Sequence, residues 1–356
     1  MSNNLTQFDH YLADDGPAAL VVREHLMPVE GTDGVIFPAT FAGGDGFPGG
    51  YNVDGDTNGE NIALIDSVGS QSNRIEPMFA EGDYKRLVPQ VVIRAKDKSI
   101  SLLQAGHRAG DAIVRCSALQ QELQDAFKKL LDGDATPLAK IAPTSLVFGV
   151  WDSRDTQAKM PRLVASTIRA YNVRKLTRSA QYVPAADYVG SALLDEPADK
   201  ATKEAYAKRG FVHVPATGSH GGVIAKGGIR RDATLALAAL KLIQAGNDKH
   251  ATLKLRRYIL GLALVAFTRL PGGYLRQGTI LVLDPDKKTT FDEVYPEGKR
   301  KPAGVTHNAA LAYAKDTAKD FGVGKDRSED FDVERAKKDI QGDGGGKSGG
   351  KSKKTK

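Results

Sequence analysis

The chain has 356 residues, 41% hydrophobic and 26% charged, which is enough for a large core in one elaborated domain or two smaller ones. Its one cysteine, Cys116, excludes an intrachain disulfide and a cysteine zinc cluster and suits a reducing cytoplasm. Of the net charge of +7, the terminal GDGGGKSGGKSKKTK (342–356) supplies +4, so the rest is no blanket polycation.

In chain order, the N-terminus lacks a basic region followed by an apolar one and so does not read as a signal peptide. A helix is expected over roughly 17–27, entered through Gly16-Pro17, then a strand at VIFPATF (35–41). A glycine-rich acidic loop follows over 42–60, then IALID (62–66) as a strand and a helix near 71–80. LVPQVVIRA (87–95) reads as a strand, and 101–133 as helical with breaks near Gly106 and Gly110. TSLVFGVWD (144–152) reads as a strong strand, and PRLVASTIRAYN (161–172) as a helix with proline near its start. LTRSAQYV (176–183) is a further strand, before polar, proline-bearing sequence to about 209.

GFVHVPA (210–216) and GGVIAKGGI (221–229) are short strands able to pair, and 231–246 and 251–270 are two long helices. The apolar run 258–267 is too short to span a bilayer and reads as a buried helix, so no membrane partner is expected. GTILVLD (278–284) is a strand. A polar helical stretch covers 307–340, and 341–356 is a disordered Gly/Ser/Lys tail. This irregular alternation predicts an α+β fold on a small antiparallel sheet.

Three motif strings fail on context. GGDGFPGG has glycines at 44, 46 and 49 in dinucleotide-motif spacing, but Pro48 lies inside and another loop follows. DGDTNGENIALI (54–65) starts like a calcium loop and has Ile65 where a bidentate glutamate belongs. GGKSGGKS (345–352) satisfies the P-loop string without a strand or helix to carry it. No metal or cofactor is expected.

Two strand-to-helix steps carry donors suited to phosphate. In SVGSQSNRIEP a helix starting near Ser70 or Ser72 places free backbone N–H groups beside Gln71, Asn73 and Arg74; the plainer reading is a well-capped helix. Between Trp151 and Arg178 stand seven basic residues, Arg154, Lys159, Arg162, Arg169, Arg174, Lys175 and Arg178, with Gln157, against only Asp152 and Asp155. On a helix over 161–172, Arg162, Ser166 and Arg169 share one face. Trp151 and Tyr171 are stacking candidates for unpaired bases or, as plainly, core residues.

GSHGGVIAKGGIRRD (218–232) offers Lys226, Arg230 and Arg231 on a glycine-bordered loop, and LPGGYLRQG (270–278) adds Arg276 and Gln277. His25, His107, beside Arg108, and His220 are the acid–base candidates, and no Ser/His/Asp order or H-E-x-x-H accompanies them.

Taken in order, PVEGTDGVIFPATFA, LIDSVGSQSNRIEPMF, LVPQVVIRA, LLQAGHRAGDAIVRCS, the passage PTSLVFGVWDSRDTQAKMPRLVASTIRAYNVRKLTRSAQY and LRRYILGLALVAFTRLPGGYLRQGTILVLDP resemble the RAMP-type backbone subunit of type I-G (formerly I-U) CRISPR effector complexes. The resemblance covers roughly residues 15–285. It implies a modified RNA-recognition-type (ferredoxin-like) core within 1–325, with loop-rich insertions at about 42–60 and 183–232 acting as thumb and fingers; the chain beyond about 320 lies outside the resemblance, and 326–340 is read from its own sequence as a polar helical extension. It further implies copies that polymerise along a guide RNA, pair that guide with a target DNA strand and assemble with other effector subunits. The subunit would be cytoplasmic and non-catalytic, with Ser70, Gln71, Ser72, Asn73 and Arg74 on the guide. No RNP-type string is present, and Asp45, Asp54 and Asp56 match no cleavage motif; the rival is a ribonuclease using His107 or a loop aspartate.

Overall fold

Burial alternates with period two along Ala19–Pro28: Leu20, Val22, Glu24 and Leu26 are buried, and the residues between them are not. The computed structural model, which describes residues 4–56, 60–269 and 272–344, therefore has a strand here (β1) where a helix is expected. Leu20, Val22 and Leu26 at alternate positions decide it, and β-branched Val21 and Val22 favour the extended backbone.

The same substitution recurs twice. Val164–Tyr171 (β4) is a strand in place of the expected helix, and Ile229–Ala236 (β7) replaces the start of the helix expected over 231–246, leaving one short turn at Leu237–Leu240. Conversely, the expected strand at 144–152 is mostly helix α3 (Pro143–Phe148), buried on all sides, so its apolar run carried no period to read. Gly149, with φ +83°, ends it before a two-residue strand at Val150–Trp151.

The remaining strands of the main sheet are β2 (Val53–Gly55), β3 (Asn61–Asp66), β8 (Tyr274–Arg276), β9 (Thr279–Leu283), β10 (Thr290–Val294) and β11 (Arg300–Pro302). The sheet has nine strands in the order β8-β9-β1-β7-β4-β3-β2, with β10 beside the first half of β1 and β11 on β10. Every pairing in it is antiparallel. It is larger than expected because three segments taken for helix are strands. Between β4 and β7 the chain leaves the sheet as a long hairpin, β5 (Val173–Tyr182) with β6 (Val214–Ala225). The two short strands expected at 210–229 are thus a single strand, paired with β5 rather than with each other.

Helices α1 (Val68–Ile75), α2 (Gln120–Leu131), α3, α4 (Lys249–Thr268) and α5 (His307–Phe321) accompany the sheet. Helix α5, expected as polar, buries Ala310, Tyr313 and Ala314 and packs on α4. Gly261 makes the close approach possible, since a Cβ there would lie 2.9 Å from Ala314 Cα. Arg327–Asp330 runs parallel to Val91–Ala95, which also pairs with Lys98–Ser101, and the helix Val333–Gly344 follows. The tail beyond 344, with its P-loop string, lies outside the described residues, as does part of the calcium-like loop at 57–59 and of LPGGYLRQG at 270–271. Among the described residues no helix is long and apolar enough to cross a membrane.

The buried face of the sheet feeds two apolar clusters. Leu20, Val22, Val164, Ala233 and Leu235 join the helices in the larger one. Leu26, Ala63, Ile65, Ile168, Ala170, Val173, Val223 and Ile229 build the smaller around the hairpin base. Between them, directly cross-strand, sit Glu24 and Arg231, both about 5% exposed and joined Nε to Oε2 at 2.5 Å. Removing one partner strands a buried charge. Arg231→Ala is expected to destabilise the fold by about 3–5 kcal/mol in denaturant unfolding, whereas Glu24→Leu with Arg231→Met should restore most of it.

Candidate nucleic-acid interface

Strand β3 ends in Asp66, which is 1% exposed, and Ser67 caps α1 by accepting from Ser70 N. The helix therefore starts earlier than Ser70 or Ser72, and its polar first turns curl back over the carboxylate. Asp66 accepts from Ser70 Oγ at 2.8 Å, Gln71 Nε2 at 2.6 Å, Arg74 Nε at 3.2 Å and Arg276 Nη2 at 3.0 Å. Gln71 Oε1 in turn accepts from Ser166 Oγ, and Ser72 Oγ donates to Val68 O. Ser70 and Gln71, expected to face phosphate, are thus committed internally because a buried carboxylate requires donors, and Ser72 is committed to the helix backbone. Asn73 and Arg74 stay exposed and, with Arg269 and Tyr274, line a cleft of about 570 Å³.

On the other face of the sheet, register brings cations together. His25 of β1 lies directly opposite Arg230 of β7, and Arg230 lies opposite Arg169 of β4. Like charges directly cross-strand are unfavourable. Asp232 offsets part of this, accepting from Arg230 Nε at 2.8 Å and Arg23 Nε at 3.1 Å. Arg230 also stacks on Tyr171, 4.8 Å from the ring centre. Next to this row, at the hairpin base, Arg174, Lys226 and Lys287 line a cavity of about 460 Å³, and Lys175 and Arg178 extend the exposed basic run along β5.

The basic passage 151–178 is not one surface. Arg154, Gln157, Lys159 and Arg162 precede β4 and are exposed at its start, while Arg174, Lys175 and Arg178 follow its end. The helical face shared by Arg162, Ser166 and Arg169 does not exist: Ser166 points into the core and Arg169 to the opposite side. Trp151 is exposed, at the start of a tight turn.

Arg108, expected with His107 to contact RNA, and Arg231, expected to do so from a glycine-bordered loop, are buried. Arg108 donates from Nε to Glu76 Oε2 at 2.6 Å and from Nη1 to Gly149 O, and its guanidinium lies over Phe148. His107 beside it is exposed. His220 contacts Tyr51 at the hairpin base. His25, Arg23 and Lys287 entered no predicted interface: once 17–27 is taken as a helix, nothing sets its side chains opposite those of a distant strand. Period-two burial over 19–28 was the signal that could have found them. Among the described residues no group of His, Cys, Asp and Glu suits a metal ion.

Burial raises the Glu76 carboxyl to about 7; Arg108 opposes this, and burial prevails while Glu76 Oε1 lacks a partner. A carboxyl that holds its proton more tightly folded than unfolded stabilises at low pH. That contribution is complete below about 4.5 and lost as pH rises through about 7. In unfolding titrations from pH 4.5 to 7, Glu76→Gln is expected to remove this downward component.

No curated protein matches the chain. The model of the family described as CRISPR-associated protein GSU0053 (Cas_GSU0053) matches residues 20–175, from β1 through the Asp66 cluster and β4 into the hairpin. Over that stretch the chain is similar to a family of CRISPR-associated proteins.

Proposed function

We propose that this protein is a non-catalytic backbone subunit of a type I-G CRISPR effector complex, binding guide RNA through its phosphates. The cross-strand row His25–Arg230–Arg169 carries the reading. Among the described residues, Arg230 and Arg169 stand in direct register with only Asp232 to offset them and Arg23, and a polyanion can supply the remaining negative charge while continuing to Arg174, Lys175 and Arg178 on the hairpin. Contacts to phosphate hold a guide of any sequence, which a complex that changes targets requires.

Topology supports an RNA-recognition-type core. Strands β1, β4, β7 and β9 lie in the spatial order β9-β1-β7-β4, all antiparallel, with helices between β1 and β4 and α4 between β7 and β9. With β2 and β3 set aside as additions beyond β4, this order supports the reading of a β-α-β-β-α-β core of the ferredoxin-like kind. The β5–β6 hairpin, inserted between the two middle strands, suits the thumb. In this reading further copies follow the guide in the cytoplasm, other effector subunits flank them, and a target DNA strand is recognised by pairing with the guide.

Gln71 is unsuitable for a binding test, since its loss would disturb the Asp66 network. Arg174→Ala with Lys175→Ala and Arg178→Ala leaves the core untouched. For single-stranded RNA followed by anisotropy across a salt series, each lost phosphate contact should reduce the slope by about 0.7, so the triple variant should lose about 2. An unchanged slope would remove the hairpin from the interface, and RNA shortened during incubation would contradict a non-catalytic role.

A further inference from the structure

The turn that follows Trp151 is built from within. Asp152, 4% exposed, accepts from Thr156 N at 2.8 Å and Thr156 Oγ1 at 2.6 Å, and Gln157 Nε2 donates to Ser153 O at 2.7 Å. Gln157 takes φ +62° to complete it, and Ala158 is fully buried. The turn thus pairs Trp151 with Lys159 across a two-strand ladder, with Lys159 Nζ 5.6 Å from the indole centre. Trp151 is nevertheless 55% exposed. A fixed turn that leaves an indole in water forgoes part of its burial energy, which binding can recover.

We propose that this turn is a separate nucleotide site, taking one unpaired base against the Trp151 indole with its phosphate on Lys159. The proposal deepens the RNA-binding reading and rests on it. The surroundings favour a nucleotide over a protein partner. Ser153, Arg154 and Asp155, which follow Trp151 in the turn, are exposed, so the indole adjoins polar surface on that side. Its exposed neighbours include Lys159 and Arg162. An aromatic face with a cation beside it accepts any base, provided that base is free to leave its own stack. The site lies at the start of β4, at the opposite end of that strand from the hairpin, so it adds a contact that the hairpin cannot make.

Trp151 is the only tryptophan, so the intrinsic emission of the full chain reports this site alone. The protein is titrated with end-labelled oligouridine and with a duplex RNA of equal length, reading anisotropy for binding and indole emission for stacking. The expected result is quenching by oligouridine with the midpoint seen in anisotropy, and none by the duplex. Trp151→Ala should weaken oligouridine binding about tenfold, within the range for one stacked base, and Trp151→Tyr should retain most of it. Binding without an emission change, or Trp151→Ala binding like the unmodified protein, overturns this site and leaves the RNA reading intact. No anisotropy change overturns both. An emission change that follows protein concentration without RNA assigns the indole to a second copy and overturns the proposal.

Discussion

A belt of buried polar groups sets the arrangement of this protein. It runs from Glu24 through Arg231, Ser166 and Gln71 to Asp66, and reaches the surface at the exposed Arg74 and the half-buried Arg276. It ties β1, β7, β4, α1, β3 and β8 into one network. Ionised carboxylates and guanidiniums with this little exposure are tolerated only where each finds partners. The positions of six elements are therefore coupled, and the apolar core divides in two around the belt.

The belt also explains the charge on the opposite face. Alternation along β7 sends Arg231 inward to Glu24 and leaves Arg230 outward beside Arg169 and His25. A one-residue slip would exchange these roles, exposing Glu24 and burying the cations that form the outer row. The buried pair thereby fixes the register on which the surface charge depends. Two arginines adjacent in sequence have opposite duties, one structural and one available to a ligand.

Much of the site was legible in residue types but not in their placement. The concentration of cations between 151 and 178 is real, yet a strand stands in its middle and separates them to its two ends. Donors at 70 and 71 form a knot, as the residue types suggest, but they serve Asp66, four and five residues away. Short-range spacing shows that donors gather; it does not show whether they gather around a ligand or around a carboxylate of the same chain.

By itself the sequence determined the long buried helix over 249–268, the strands at 61–66, 91–95 and 279–283, and the broken helical run over 101–133. In each, local apolar pattern and its boundary residues agree with the final structure, and no distant partner had to intervene. Only the tertiary structure decided that 19–28, 164–171 and 229–236 are adjacent central strands, and that 143–148 is a helix. Segments of eight to ten residues with mixed propensity take the state that satisfies their neighbours' backbone hydrogen bonds, and those neighbours can lie as far apart in the chain as Ala19 and Ala236. The same pairing placed His25 beside Arg230, a contact that no local feature of either segment contains.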